Sequence, residues 1–153
     1  MISLKCCFTS SLLIGLAVTA QTRPARADVD GCVKQAALRY QVDERLINAI
    51  IQVESSGNSS AFNRNANGSE DIGLMQINSS WVPVLGRYGI KRHHLYDPCT
   101  NIHVGAWVLA GNIARYGRTW RAVGAFNAKS RPKQERYAAK IWRRYMTQAG
   151  SES

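Results

Sequence analysis

Acidic residues are scarce in this chain: 10 Asp plus Glu stand against 20 Lys plus Arg in 153 residues, a formal charge of +10. No apolar run reaches the roughly 20 residues that a bilayer-spanning helix requires, so no membrane span is expected in the mature chain. Glycine and proline number 12 and 4 and follow no triplet period, which excludes a collagen-like fibre. Repeats are missing, and no linker is long enough to divide the chain. Metal-ligand spacing is missing too. His93 and His94 are adjacent and His103 stands alone, and adjacent histidines do not converge on one ion. No metal and no cofactor is therefore expected. What remains is one domain, a small enzyme or binding protein, with 45% hydrophobic residues to bury.

The first 27 residues read as an address. Lys5 gives a positive start, Cys6 to Ala20 form a mostly apolar core, and Ala25-Arg26-Ala27 offers an A-x-A cleavage site. Val18-Thr19-Ala20 is a second site, so the mature chain is expected to begin at Gln21 or Asp28. An uncleaved N-terminal anchor is the alternative. Cleavage after Ala27 removes Lys5, Arg23, Arg26 and no acid, which leaves +7. The remaining charge is uneven: Arg115 to Arg144 holds ten basic residues and one acid, Glu135. Export and a basic face point to an anionic extracytoplasmic partner, a cell-wall polymer or a membrane surface. Nucleic acid is the competing reading of such charge, but a secreted chain seldom meets it. A solvated helix face with no partner is the plain alternative. Cys32 and Cys99 survive cleavage, and a lone pair in an exported domain reads as a disulfide rather than a metal site. Its loop of 67 residues would add about 4 kcal/mol on the chain-entropy model.

The pattern is almost entirely helical. Val33 to Tyr40 reads as a short helix, and Asp43 as the N-cap of Glu44 to Ser55. Ser55 to Glu70 is a polar loop with room for a small β-hairpin. Ser79-Ser80 can cap a helix through Trp81, with Pro83 in its first turn. Asp97-Pro98 marks a turn, and Asn101 can cap a helix carrying Ile102, Leu109 and Ile113. Thr119 caps Trp120 to Phe126, and Pro132 opens a last helix to Thr147, with residues 148–153 as a flexible tail.

Chemistry concentrates at one carboxylate. Ile47, Ile50, Ile51 and Glu54 lie at i, i+3, i+4 and i+7, so Glu54 shares the face meant for the core. Burying a carboxylate is expensive unless it is paired or protonated. Glu54 also sits in the last turn, where the negative helix end disfavours another negative charge. Burial and dipole both push its pKa upward, as a general acid near neutral pH requires. An ordinary Glu at a helix end is the bland reading, yet two local rules broken at one residue tend to mark a functional site.

Glu54-Ser55-Ser56-Gly57, the polar loop, Asp71-Ile72-Gly73-Leu74-Met75-Gln76-Ile77-Asn78 and Ala125-Phe126-Asn127 together resemble the lytic transglycosylases. These are lysozyme-like enzymes that cleave peptidoglycan, and the likeness is greatest to the small ones attached to secretion, conjugation or pilus systems. It covers Cys32 to Tyr145. The resemblance implies a mainly α fold: a single lysozyme-like helical domain over residues 28–147 with an active-site cleft, and a small hairpin in the 56–72 loop. Glu54 matches the catalytic acid/base. It would protonate the glycosidic oxygen between N-acetylmuramic acid and N-acetylglucosamine. As the carboxylate it would then deprotonate the muramyl 6-hydroxyl, which attacks C1 and closes a 1,6-anhydro ring. Ser55 matches the hydroxyl beside that Glu, and Gly73 the glycine that lets backbone approach the sugar. Met75 and Gln76, with Leu74, match the groove wall, and Asn127 matches the amide near the reacting sugar. Tyr137 resembles the tyrosine that holds the catalytic carboxyl. Plain alternatives exist for these: Leu74, Met75 and Ile77 as core, Gln76 and Asn78 as helix-start polar residues, Phe126 and Tyr137 as packing. The third family motif commonly reads AYNAG, whereas this chain has Phe126 without the hydroxyl and Lys129 in place of glycine.

The implied substrate is the peptidoglycan glycan strand, the implied location the periplasm, and the implied partners are components of a secretion, conjugation or pilus apparatus. A monomer is expected. A hydrolytic muramidase would use the same Glu54 with a second carboxylate. A wall-binding assembly module with vestigial activity is the reading from another class. Asp71, 17 residues beyond Glu54, is the candidate second carboxylate. It is expected to face the cleft and stabilise positive charge on the muramyl ring, helping to keep Glu54 protonated. The alternative is that Asp71 caps a GLMQ helix.

Overall fold

The computed structural model describes residues 24–149; the expected leader up to position 23 and tail residues 150–153 lie outside the described residues. Six helices form the body: α1 (Pro24–Tyr40), α2 (Glu44–Ser55), the short α3 (Val82–Leu85), α4 (Pro98–Tyr116), α5 (Trp120–Asn127) and α6 (Arg131–Ala149). The polar loop folds into an antiparallel sheet of β1 (Phe62–Arg64), β2 (Glu70–Ile72) and β3 (Ile77–Asn78), with Asn63 opposite Asp71 and Asp71 opposite Asn78. The architecture is mainly α, as the sequence leads one to expect; the hairpin expected in the 56–72 loop forms as β1 and β2 and gains a third strand, β3, beyond it.

The helix starts follow local chemistry, and several differ from expectation. Asp43 caps α2 as expected, its carboxylate accepting from the Arg45 N–H at 2.8 Å. The turn at Ser79–Trp81 is capped by Asn78, not by Ser79 or Ser80: the side-chain Oδ1 of Asn78 accepts from the Ser80 N–H at 3.0 Å. Asp97 caps α4, where Asn101 had been the candidate. Thr119 precedes α5, but its hydroxyl donates back to the Tyr116 carbonyl rather than capping. The α1 helix begins at Pro24, earlier than Val33. Proline suits a helix's first position, and residues 24–32 carry no breaker strong enough to delay the start.

Ile47, Ile50 and Ile51 of α2 pack with Ile102 and Leu109 of α4, with Ile141 of α6 and with Ile72, Leu74 and Met75. Cys32 and Cys99 form a disulfide that fastens α1 to the start of α4. Asn101, one turn into α4, is fully buried. Its Nδ2 donates to the carbonyls of Ile72 (2.8 Å) and Leu95 (2.7 Å), and its Oδ1 accepts from the Met75 N–H (2.8 Å). Residues 73–76 therefore make a tight turn, closed by Gln76 N–H on the Gly73 carbonyl, and not a helix. Gly73 has φ +76, and a Cβ there would overlap both the Asn101 amide and the Leu95 carbonyl. The close approach at Gly73 is thus to protein, where the resemblance implies an approach to sugar.

Asn101→Leu keeps the side-chain size but leaves one N–H and two carbonyls buried without partners. Each such group costs about 1–3 kcal/mol, so a loss of about 3–5 kcal/mol is expected in urea unfolding. An unchanged midpoint would show that the Asn101 bracket contributes nothing.

Candidate active site

Glu54 is held in the last turn of α2, which ends because Ser56 adopts a left-handed conformation (φ 54) and returns its N–H to the Gln52 carbonyl. Ser55 secures this end: its hydroxyl donates to the carbonyls of Ile51 (3.2 Å) and Leu74 (2.8 Å). It points into the scaffold. Glu54 points the other way, into an open cleft of about 1280 Å³. One wall is the sheet, with Asn63, Asn65, Asp71, Gln76 and Asn78. Trp81, Val108 and Asn112 line the cleft as well, and the stretch from Phe126 to Ser130 completes it with Lys133.

Tyr137, buried on α6, donates its hydroxyl to Glu54 Oε1 at 2.5 Å. The phenol thus engages one carboxyl oxygen. Phe126 stacks on the Tyr137 ring, centroids 6.5 Å apart and planes 16° off parallel, which fixes the phenol's plane. Burial holds the Glu54 carboxyl above its ordinary value; the Tyr137 hydrogen bond and the Lys140 charge oppose that rise, and the Asp71 charge adds to it. Burial and the neighbouring Glu54 in turn push the Tyr137 hydroxyl well above the ordinary tyrosine value, so it remains a donor.

Asp71 lies in β2 and lines the same cleft. Its carboxylate accepts from Asn78 Nδ2 (2.7 Å), Asn65 Nδ2 (2.9 Å) and Asn63 Nδ2 (3.4 Å). The capping alternative has no helix to cap, because residues 73–76 are a turn. Asparagines from β1, from the turn after it and from β3 converge on this one carboxylate of β2, which makes Asp71 the polar centre of the sheet as well as a cleft residue.

Of the other residues singled out from the sequence, Gln76, Phe126 and Asn127 line the cleft with Glu54 and Asp71. Gln76 sits at φ 46, and its amide donates to the carbonyls of Gly73 (2.9 Å) and Ala61 (3.2 Å), so the turn and the β1 approach share one side chain. Met75 is fully buried, and its thioether fills the space over Gly105 on α4. Met75, Ser55 and Gly73 shape the site from behind. The sequence reading missed Lys140, which follows Tyr137 by one helical turn, and the sheet asparagines, whose only signal was a loop rich in Asn. Asn112 was missed as well; its Nδ2 is buried at the cleft wall and has no hydrogen-bond partner among the described residues. Among the described residues no group of three His, Cys, Asp or Glu side chains could share a metal ion.

The family described as the transglycosylase SLT domain matches residues 31–145. The invasion protein IagB of Salmonella typhimurium is 42% identical over 119 residues, covering 74% of this chain and 74% of that protein. Protein IpgF of Shigella flexneri is 41% identical over 126 residues, covering 79% and 81%. Among solved structures, an inactive mutant of the lytic transglycosylase Slt from Pseudomonas aeruginosa superposes with a TM-score of 0.64 at 21% identity. That match covers 80% of this chain, which spans only 24% of the solved one. At such identity the likeness concerns the fold.

A carboxyl raised by burial makes the fold pH-sensitive with a definite sign. Below the unfolded value of about 4.3 the group is protonated in both states and costs nothing; the cost of its charge grows as pH rises through the higher folded value. Glu54→Gln keeps an oxygen for the Tyr137 hydroxyl and carries no charge. It is expected to melt higher than the parent at about pH 8 and equally at about pH 4. Equal melting at both would contradict the assigned burial of the Glu54 charge.

Proposed function

The chain belongs to the transglycosylase SLT domain family, and we propose that it is a periplasmic lytic transglycosylase that cleaves the bond between N-acetylmuramic acid and N-acetylglucosamine. Its fold is lytic transglycosylase-like. The observation that carries the reading is a half-buried Glu54, raised in proton affinity, facing an open cleft and held at one oxygen by Tyr137. With Oε1 engaged, Oε2 carries the proton to the glycosidic oxygen. The C1–O bond breaks, and the departing sugar leaves with that proton. The Glu54 carboxylate then takes the proton of the muramyl 6-hydroxyl, whose oxygen bonds C1. The acid is regenerated, no water is consumed, and no second carboxylate serves as nucleophile.

Gln76, Phe126 and Asn127 contact the substrate, and Lys129 adds a cation at the rim. Ser55, Gly73 and Met75 act by fixing the walls. Export by a leader cleaved after Ala20 or Ala27, with a working domain over 28–147 and a tail beyond, follows from the sequence reading. IagB is named an invasion protein, which supports a role in opening the wall locally for a secretion, conjugation or pilus machine. A hydrolytic muramidase is the second reading, favoured by the presence of Asp71 in the cleft.

Digestion of purified sacculi followed by mass spectrometry separates the two. Products ending in 1,6-anhydro-muramic acid are expected; exclusively reducing ends would make the protein a hydrolase. Glu54→Gln is expected to lower release about 10²–10⁴-fold.

Asp71→Asn tests the second carboxylate. Loss of its charge is expected to lower turnover about tenfold through weaker stabilisation of the muramyl cation. Melting temperature should fall slightly, since one of three amide contacts must rearrange. Full activity would leave Asp71 a fastener of the sheet.

A further inference from the structure

A second groove lies between α5 and α6, outside the cleft, with a volume of about 490 Å³. Its walls are Trp120 and Trp142, which are 38% and 43% exposed and meet edge to face with centroids 5.0 Å apart. Tyr145 stacks on Trp142 at 6.4 Å and 22° and meets Trp120 edge to face at 6.1 Å, so the three aromatic rings form one cluster at the surface. Half-exposed indoles grouped in this way are uncommon outside binding surfaces. The floor is fixed: a side chain at Gly124 would overlap the Gln134 backbone, so α5 and α6 touch beneath the groove.

The rim is cationic. Arg121 and Arg131 line the groove, and its acid, Glu135, is paired with Arg131 at 2.8 Å. This is the surface part of the basic stretch Arg115–Arg144, which the catalytic reading leaves unused. Lys133 lines the cleft and the next residue, Gln134, lines the groove while holding the Ala128 and Lys129 carbonyls of the cleft turn.

We propose that the Trp120–Trp142 groove is a second peptidoglycan-binding site, taking sugar rings against the indoles and stem-peptide carboxylates on the arginine rim. The inference rests on the reading of the cleft as a peptidoglycan site. Pyranose rings present C–H faces that stack on indole, and stem peptides supply a carboxylate for Arg121, since Glu135 is already engaged by Arg131. An acidic protein segment would satisfy the rim, but it gives no reason for the cluster of exposed aromatic rings.

The full exported chain carrying Glu54→Gln, which cannot digest its target, is pelleted with purified sacculi, and its binding to soluble glycan strands stripped of stem peptides by an amidase is measured by isothermal titration calorimetry. Trp120→Leu with Trp142→Leu keeps apolar bulk but removes the flat rings; binding to both probes is expected to fall about tenfold. Arg121→Gln, an exposed change, should weaken binding to sacculi and leave binding to stripped strands unchanged. Binding to both probes unaltered by either change, in variants that melt like the parent, overturns the proposal and leaves the groove to an acidic protein segment. Muropeptide release by the otherwise unchanged chain is measured separately. Its absence would refute the cleft reading, whereas normal release with unaltered binding refutes only the groove.

Discussion

One buried amide decides where the cleft wall stands. Asn101 joins the end of β2, the turn before α4 and the backbone of Met75 by three hydrogen bonds in a dry interior. In that setting each unmade bond would cost its full desolvation. The tight turn at 73–76 can exist only because those groups find partners, and Gly73 is required because the amide comes so close. From that turn Gln76 reaches into the cleft, Met75 into the core and the Leu74 carbonyl to Ser55 beside Glu54. The geometry of the acid is therefore set in part by an amide that does not itself line the cleft.

The parts legible in the sequence were those governed by neighbours along the chain. Asp43 as cap, the apolar stripe ending at Glu54 and the helical pattern of the C-terminal half all depend on spacings of one or two turns. Caps were misassigned where two polar residues competed: Asn78 lies one position before Ser79, and Asp97 four before Asn101. Asn101 has the composition of a cap and the environment of a core residue; only its partners at positions 72, 75 and 95 distinguish the two. The asparagines around Asp71 were unreadable for the same reason, since the register of three short strands brings them together. Met75 looked like a groove residue by motif, but the absence of a side chain at Gly105 gives its thioether a place inside.

The site concentrates opposing influences on one carboxyl. Burial raises the proton affinity of Glu54, while Tyr137 and Lys140 restrain the rise. A desolvated acid with no restraint would hold its proton too firmly to release it, and an exposed one would lose it before substrate arrived. Tyr137 suits the restraint because its own burial keeps it protonated, so the hydrogen bond persists whatever the state of the acid. Its ring is braced by Phe126, which lends the third motif a role in packing that needs no hydroxyl.

Helix α6 carries both the donor to the acid, through Tyr137, and the anchor of the facing wall, through the Gln134 amide on the 128–129 carbonyls. These side chains are a single turn apart on one rigid rod, so they cannot move independently. A small tilt of the rod would lengthen the phenol's grip on Glu54 and shift the wall bearing Asn127 in the same stroke. Cleft width and the proton affinity of Glu54 are thus coupled through one helix, so anything that spreads the cleft would be expected to change both.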